Sequence, residues 1–425
     1  MGLASLRQLG SIARVGRALS ATMTNSLGVR PPTQLPIAVD FGTGSLKVLQ
    51  LEPGEPPRLV SAACEPTPKE CLTHHESRLE FQTQRLPSLV REAGFKGRRA
   101  VCAIPAWATT CKHVQITRPD ATTPLDTLVE QAIPLHLNKE PHDVVHRYLT
   151  VSAVAEKAGA KVETIIMAVD RELVRRLMAG IAACKLEPVG MHSEFAAALH
   201  AFDYVHRRAG DVACNTLYLD IGRGTTTVEI SHGKNLAFTR VIDLGGRSLD
   251  EAVGQQLDCD IEEAHRIRRE PVTSPPSAAM SMAERASGKA AAADLDAMLD
   301  RRAAKTAPGF GPHLHAQAEV PLGPNKTDLT EIMEMLADEV RMCLRFHAAQ
   351  FPEKKVERVV FLGGESRNVG LCQYIAKSLK LPAQMADPMA RIARTGKEPC
   401  IGVDLSQPQP GWAVAMGLCL GPTDL

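Results

Sequence analysis

The chain has 425 residues, 44% of them hydrophobic and 23% charged, a composition that suits a globular protein of two or three domain-sized units. With 49 basic against 48 acidic side chains and only 4% aromatics, it offers neither an electrostatic nor a stacking basis for nucleic acid as a ligand. Its 11 cysteines never form a Cys-x-x-Cys pair, which argues for reduced thiols over a disulfide framework, and no apolar run approaches the roughly 18 residues that span a bilayer. The expectation is a soluble, cytoplasmic chain.

Residues 1–35 stand apart. They carry Arg7, Arg14, Arg17 and Arg30 and no Asp or Glu, while Leu3, Leu6, Leu9, Ile12, Val15 and Leu19 recur at helical spacing. This reads as a basic tail, either an amphipathic helix for an anionic membrane surface or a disordered segment weakened by Gly10 and Gly16. Met23 offers an alternative start just ahead of the folded body. From there strands and helices alternate. Leu35 to Leu51 reads as a strand, a glycine turn and a second strand, and Ala100 to Ile104 as a short buried strand. A polar loop carries Cys71, His74 and His75 without a fourth metal ligand. Leu125 to Leu137 reads as helix and Asp143 to Ala155 as strand, with His142 and His146 a surface pair rather than a metal site.

Thr164 to Val169 leads as a strand into a helix ending near Leu186, and Val189 to Phe202 adds another strand and helix. Thr216 to Leu244 reads as three strands turning at Arg223-Gly224 and His232-Gly233. A helix follows over Ser248–Leu257, with Ser248 and Glu251 as a capping box. Residues 271–324 are rich in Pro, Gly, Ser and Ala and read as a disordered insertion, with a transient helix around Asp294 to Arg302. Asp328 to Gln350 is a long amphipathic helix opened by Asp328 and Glu331, and Val356 to Leu362 is a buried strand running into Gly363-Gly364. The order of elements occurs twice in outline, which makes this a duplicated α/β chain.

Three places in that repeat carry chemistry. Asp40-Phe41-Gly42-Thr43-Gly44-Ser45-Leu46-Lys47 bends between two strands, where glycines admit a phosphate to the backbone, hydroxyls bond its oxygens and Lys47 adds a point charge. Asp40 is placed to hold Mg²⁺ largely through water. Asp220-Ile221-Gly222-Arg223-Gly224-Thr225-Thr226-Thr227 repeats the design 180 residues later, with Asp220 in the place of Asp40. Together they suggest two jaws on one polyphosphate. Phe361-Leu362-Gly363-Gly364-Glu365-Ser366 follows a strand with a glycine pair that lets a flat nucleoside approach the backbone.

In this order the three motifs resemble the actin, sugar-kinase and heat-shock-chaperone superfamily. The stretches VDFGTGSLKVLQL, AIPLHLNKEPHDVVHRYLTV, FTRVIDLGGRSLDEAV, VVFLGGESRNVGLCQYI and GWAVAMGLCL resemble more closely the PilM family of pilus-assembly proteins, with the division scaffold FtsA a more distant relative. The resemblance covers most of residues 36–421. It implies an actin-like, ribonuclease H-like two-lobe fold with ATP and Mg²⁺ between the lobes. Lobe I would run over 36–208 with a small inserted subdomain near 106–155, lobe II over 209–400 around the insertion, and 401–425 would return a helix to the cleft. It assigns Asp40, Gly42, Thr43, Gly44, Ser45 and Lys47 to the first phosphate loop, Asp220, Gly222, Gly224, Thr225 and Thr226 to the second, and Gly363, Gly364 and Glu365 to the adenosine loop.

Arg268 stands where PilM-like chains carry a lysine near the base, and Arg223 where a small residue is usual. Glu194 stands where the family has an acidic residue at the start of the linking helix. It is either a carboxylate that orients the attacking water or a structural one. By the same resemblance the chain is a bacterial scaffold at the cytoplasmic face of the inner membrane. It would bind ATP with slow or no hydrolysis and grip the N-terminal tail of a PilN-like inner-membrane partner. The region around Ala106 to Tyr148 would be the receiver. An FtsA-like, self-associating filament former held to the membrane by its basic tail, and a sugar or acid kinase, are the alternatives.

Overall fold

The computed structural model describes residues 34–120, 122–151, 159–202, 214–269 and 327–422, together with the backbone of 310–313. The amphipathic pattern of the N-terminal tail lies outside the described residues, as does most of the 271–324 stretch.

In chain order the strands are β1 (Ile37–Phe41), β2 (Ser45–Glu52), β3 (Arg58–Pro66), β4 (Arg99–Ile104), β5 (Thr110–Thr117), β6 (Val144–Thr150), β7 (Lys161–Asp170), β8 (Glu187–Ser193), β9 (Asn215–Ile221), β10 (Thr226–His232), β11 (Asn235–Ile242), β12 (Phe310–His313), β13 (Arg358–Leu362), β14 (Ala383–Ala386) and β15 (Cys400–Ile401). They form two six-stranded sheets, β15-β3-β2-β1-β4-β8 and β11-β10-β9-β13-β14-β12, and a three-stranded sheet, β5-β7-β6. The duplication is visible in the pairing. In each large sheet an antiparallel meander of three strands (β3-β2-β1, β11-β10-β9) is continued by two parallel strands (β4-β8, β13-β14).

Each large sheet is buried on both faces, as its parallel strands require. In the first, Ile37, Val39, Phe41, Leu46 and Val48 pack outward under the helices His75–Glu92 and Arg171–Ala183. In the second, Leu217, Leu219, Ile221, Val228 and Ile230 pack outward under the helices Gly246–Leu257, Thr330–Gln350 and Val369–Leu379. The inner faces meet across two helices, Glu194–His200 and Ala413–Leu420, in one core that holds Ala38, Leu49, Phe202, Tyr218, Leu362 and Trp412. Small residues let these two helices nearly touch, since a Cβ on Gly417 would collide with the carbonyl of Ala197. The small sheet carries its own helix, Leu125–Leu137, on one face. Its other face, through Ile165 and Met167, packs with Ala106, Phe195 and Leu236, so it leans on both lobes. Among the described residues no helix is long and apolar enough to cross a membrane.

Some local expectations need correction. His75 opens an 18-residue helix rather than lying in a polar loop, and its ring stacks on Trp107. The helix expected from Ser248 begins at Gly246 with Gly245 as its cap, so Ser248 and Glu251 form no capping box. Asp328 accepts from the N–H of Thr330, but the cap residue of that helix is Leu329, with no side-chain cap bond. Of the Asp143–Ala155 reading, β6 takes Val144–Thr150, and 152–155 lie outside the described residues. Within the 271–324 stretch, β12 pairs antiparallel with β14.

Candidate functional site

Alternation decides where the acidic residues point. In β1 the odd positions Ile37, Val39 and Phe41 are taken by the outer core, so Ala38 and Asp40 face inward. In β9, Leu217, Leu219 and Ile221 go outward, and Tyr218 and Asp220 face inward by the same rule. Both carboxylates therefore stand at the ends of their strands over one cleft of about 750 Å³.

The two hairpins meet across this cleft. A Cβ on Gly44 would lie 3.0 Å from Cβ of Arg223, and one on Gly224 would lie 2.9 Å from Cγ2 of Thr43. Glycine at these two positions is what allows the jaws to approach. Behind them Gly363, at φ +84°, passes so close to the second hairpin that a Cβ would come within 2.5 Å of Asp220 Oδ1. Asp40, Gly42, Thr43, Gly44, Ser45, Lys47, Glu194, Asp220, Gly222, Gly224, Thr225, Gly363, Gly364 and Glu365 all line the one cleft. Two residues assigned from sequence do not. Thr226 is fully buried and its hydroxyl donates to the Leu244 carbonyl at 2.7 Å, so Thr227 takes the inward position. Arg268 is buried away from the cleft. Its Nε donates to Asp250 at 2.6 Å and its Nη1 to Glu365 at 2.7 Å.

Cations line the cleft as well as acids, Lys69, Arg223, Arg269 and Arg367 among them, but the acids crowd together around Lys47. Lys47 Nζ lies 3.2 Å from Asp40 Oδ2, and that pair faces Asp220 and Glu194. Burial opposes the Lys47 charge, yet Asp40, Cys64 and Asp220 outweigh it and raise its pKa. Burial pushes Asp220 up to about 6, with Lys47 opposing and Asp40 adding to the rise. Glu194 rises to about 8, from burial first and then from Asp40 and Asp220, although the Ala106 N–H bound to it pulls the other way. Glu229, inward on β10 two residues past Thr227, is raised well above the usual range by burial, Asp220 and Glu194. Its Oε2 has no hydrogen-bond partner among the described residues. Asp40 and Asp220 suit a hydrated divalent cation held through water, and the glycine turns with Thr43, Ser45 and Thr225 suit the oxygens of a polyphosphate. The residues present fit Mg²⁺ with a nucleotide.

Arg223 also lines the cleft, but its guanidinium is turned to a buried acid. Its Nη2 pairs with Asp250 at 3.1 Å, and Asp250 also meets Arg268 and His265. Burial opposes the Asp250 charge, and the His265 and Arg268 bonds hold its carboxyl below the ordinary range. This buried network ties the second hairpin to the Gly363 loop. Sequence reading missed it, and it also missed Trp107, Trp412, Arg269, Arg367 and Gln409, which line the cleft from distant segments. Among the described residues no three His, Cys, Asp or Glu side chains form a metal-holding group. A nucleotide's own phosphates would supply the missing oxygens.

The sequence model of a family described as type IV pilus assembly protein PilM matches residues 38–277 and 315–422. The solved structure of a PilM-PilN type IV pilus biogenesis complex aligns at a TM-score of 0.66 and 21% identity, over 92% of this chain and 98% of that one. The ethanolamine utilization protein EutJ from Carboxydothermus hydrogenoformans aligns at 0.44 and 14%, covering 92% and 90%. MreB5 of Spiroplasma citri bound to ADP aligns at 0.44 and 11%, covering 91% and 95%.

Proposed function

The chain belongs to the type IV pilus assembly PilM family and has an actin-like fold, and on that footing we propose that it is a nucleotide-gated scaffold. It holds ATP with Mg²⁺ between its two hairpins and docks the N-terminal tail of a PilN-like inner-membrane partner, which keeps it at the cytoplasmic face of that membrane. The observation that carries the nucleotide reading is the pair of matching acidic hairpins, Asp40–Lys47 and Asp220–Thr227, brought face to face over one cleft.

Bound Mg²⁺ would supply positive charge against the phosphates, with Asp40 and Asp220 holding it through water. Lys47 adds an ammonium beside these carboxylates, the turn amides and hydroxyls orient the polyphosphate, and the Gly363-Gly364 turn leaves room for the nucleoside. Glu194 is the carboxylate best placed to handle a proton, but its Oε2 is already engaged by the Ala106 N–H at 2.7 Å.

Thermal unfolding with and without Mg·ATP tests the site. A ligand at about 100 times its dissociation constant adds roughly 2.7 kcal/mol. The wild type should gain this and Asp220→Ala should not; equal behaviour of the two would sink the reading. For docking, the small subdomain exposes Leu135 (81%) on its helix. A synthetic peptide of the partner's N-terminal tail should bind the wild type more tightly with Mg·ATP, and Leu135→Glu should remove that binding. Undiminished peptide binding by the variant would move the docking surface elsewhere.

A further inference from the structure

The cleft and the small subdomain meet at a carboxylate. Strand β4 ends at Ile104, and Pro105 and Ala106 carry the chain out of the first large sheet towards β5. At that point the N–H of Ala106, a residue only 3% exposed, donates to Glu194 Oε2 at 2.7 Å. Glu194 begins the inner helix, whose cap, Ser193, accepts from the N–H of Ala196. The carboxylate is thus fixed in place by its helix, faces Asp40 and Asp220, and holds the second residue beyond the sheet.

The surroundings make Ala106 a lever. Trp107 lines the cleft, stacked on His75 at 4.0 Å between ring centres with Arg78 5.2 Å above it. Its ring N–H has no partner among the described residues. Further along β5, the His113 ring stacks on Phe238 of the second lobe at 4.8 Å, with Nε2 3.2 Å from the Thr239 carbonyl oxygen. Ala106, Ile165 and Met167 share one apolar cluster with Phe195 and Leu236. The small sheet is therefore clasped between the lobes at one end and tied to the cleft at the other. A shift of Glu194 relative to Asp40 and Asp220 is passed to the small sheet through this hydrogen bond, beside the apolar contact of Phe195.

We propose that Glu194 is a positioning residue: by holding the Ala106 N–H it ties the small subdomain to the cleft, so that what occupies the cleft sets how the docking surface is presented. This rests on the nucleotide reading above and adds the route by which nucleotide and partner communicate. The acceptor oxygen carries the link, so a glutamine in the same place preserves it and an alanine does not.

Hydrogen exchange on the full chain tests this with wild type, Glu194→Gln and Glu194→Ala, with and without Mg²⁺ and the slowly hydrolysed analogue ADPNP. Thermal unfolding of the same samples reports nucleotide binding. Without nucleotide, Glu194→Ala should exchange the Ala106 amide about tenfold faster than wild type, and Glu194→Gln should stay within about twofold. With nucleotide, wild type and Glu194→Gln should slow exchange across β5 to β7, while Glu194→Ala slows only in the two hairpins. Equal exchange at Ala106 in all three proteins without nucleotide overturns the tether. Slowing of β5 to β7 in Glu194→Ala as in wild type overturns the coupling. If the wild type gains no thermal stability from the analogue, the nucleotide reading has failed instead, and the nucleotide-free samples still decide the tether.

Discussion

The two hairpins match position for position and differ in charge. Asp40 is paired across its hairpin with Lys47, and Asp220 in the same register with Thr227. Leu46 corresponds to Thr226, both fully buried on the outer face, and Thr43 corresponds to Arg223. The first hairpin thus neutralises its own acid. The second does not, because its cation lies at the turn and is held by Asp250. A duplicated scaffold has become electrically lopsided, and Asp220 has to rely on the Lys47 of the opposite lobe.

Making the hairpins alike should break the site. Lys47→Thr copies the second hairpin into the first and leaves Asp40, Asp220 and Glu194 without an ammonium beside them. At a Mg·ATP concentration that gives the wild type about 2.7 kcal/mol, the variant should gain less than about 0.5 kcal/mol, the result of a roughly hundredfold weaker dissociation constant. Thermal unfolding over a nucleotide titration measures it, and a wild-type gain in the variant would mean that the asymmetry is incidental.

Much of this was legible because it is local. Two D-x-G-x-G turns flanked by apolar alternation, and a strand ending in Gly363-Gly364, announce themselves within eight residues. What depended on distant partners was not. The helix His75–Glu92 carries Arg78 and Gln82 on its buried side, which spoils the apolar stripe. Arg78 is tolerated there because the Leu72 carbonyl and the Trp107 ring receive it. The helix at Gly246 starts early because its first amides, of Gly246 and Arg247, donate to the Gly222 and Arg223 carbonyls of the second hairpin, against which Gly245 is closely packed. Arg268 finds its acids 18 and 97 residues away. In the run Thr225-Thr226-Thr227, only the strand register tells which hydroxyl faces the cleft.

A smaller effect should appear with pH. The raised Asp220 and Glu194 carboxyls mean that the folded, nucleotide-free chain keeps protons that the unfolded chain has released between about pH 4 and 8. Stability from these groups is therefore greatest at the acid end and is lost as pH rises through about 6 and then about 8. Each group contributes a slope of at most about 1.4 kcal/mol per pH unit. Glu194→Gln should flatten the upper part of the profile when denaturant midpoints are measured from pH 5 to 8.5. An unchanged slope would mean that Glu194 is ionised in the folded chain.

The smallest effect should come from the other half of the comparison, Arg223→Met. This change keeps the Cβ that meets Gly44 and removes only the guanidinium. Asp250 would retain Arg268 at 2.6 Å and His265 at 3.1 Å, so the cost in stability should be about 1 kcal/mol rather than that of an abandoned buried charge. Because Arg223 is turned towards Asp250, the Mg·ATP gain should stay within about 0.5 kcal/mol of wild type in the same thermal assay. A loss as deep as that of Lys47→Thr would show that the guanidinium leaves Asp250 for the phosphates when nucleotide arrives. The second hairpin would then supply its own cation on demand, and the two halves would be equal in the bound state though unequal without nucleotide.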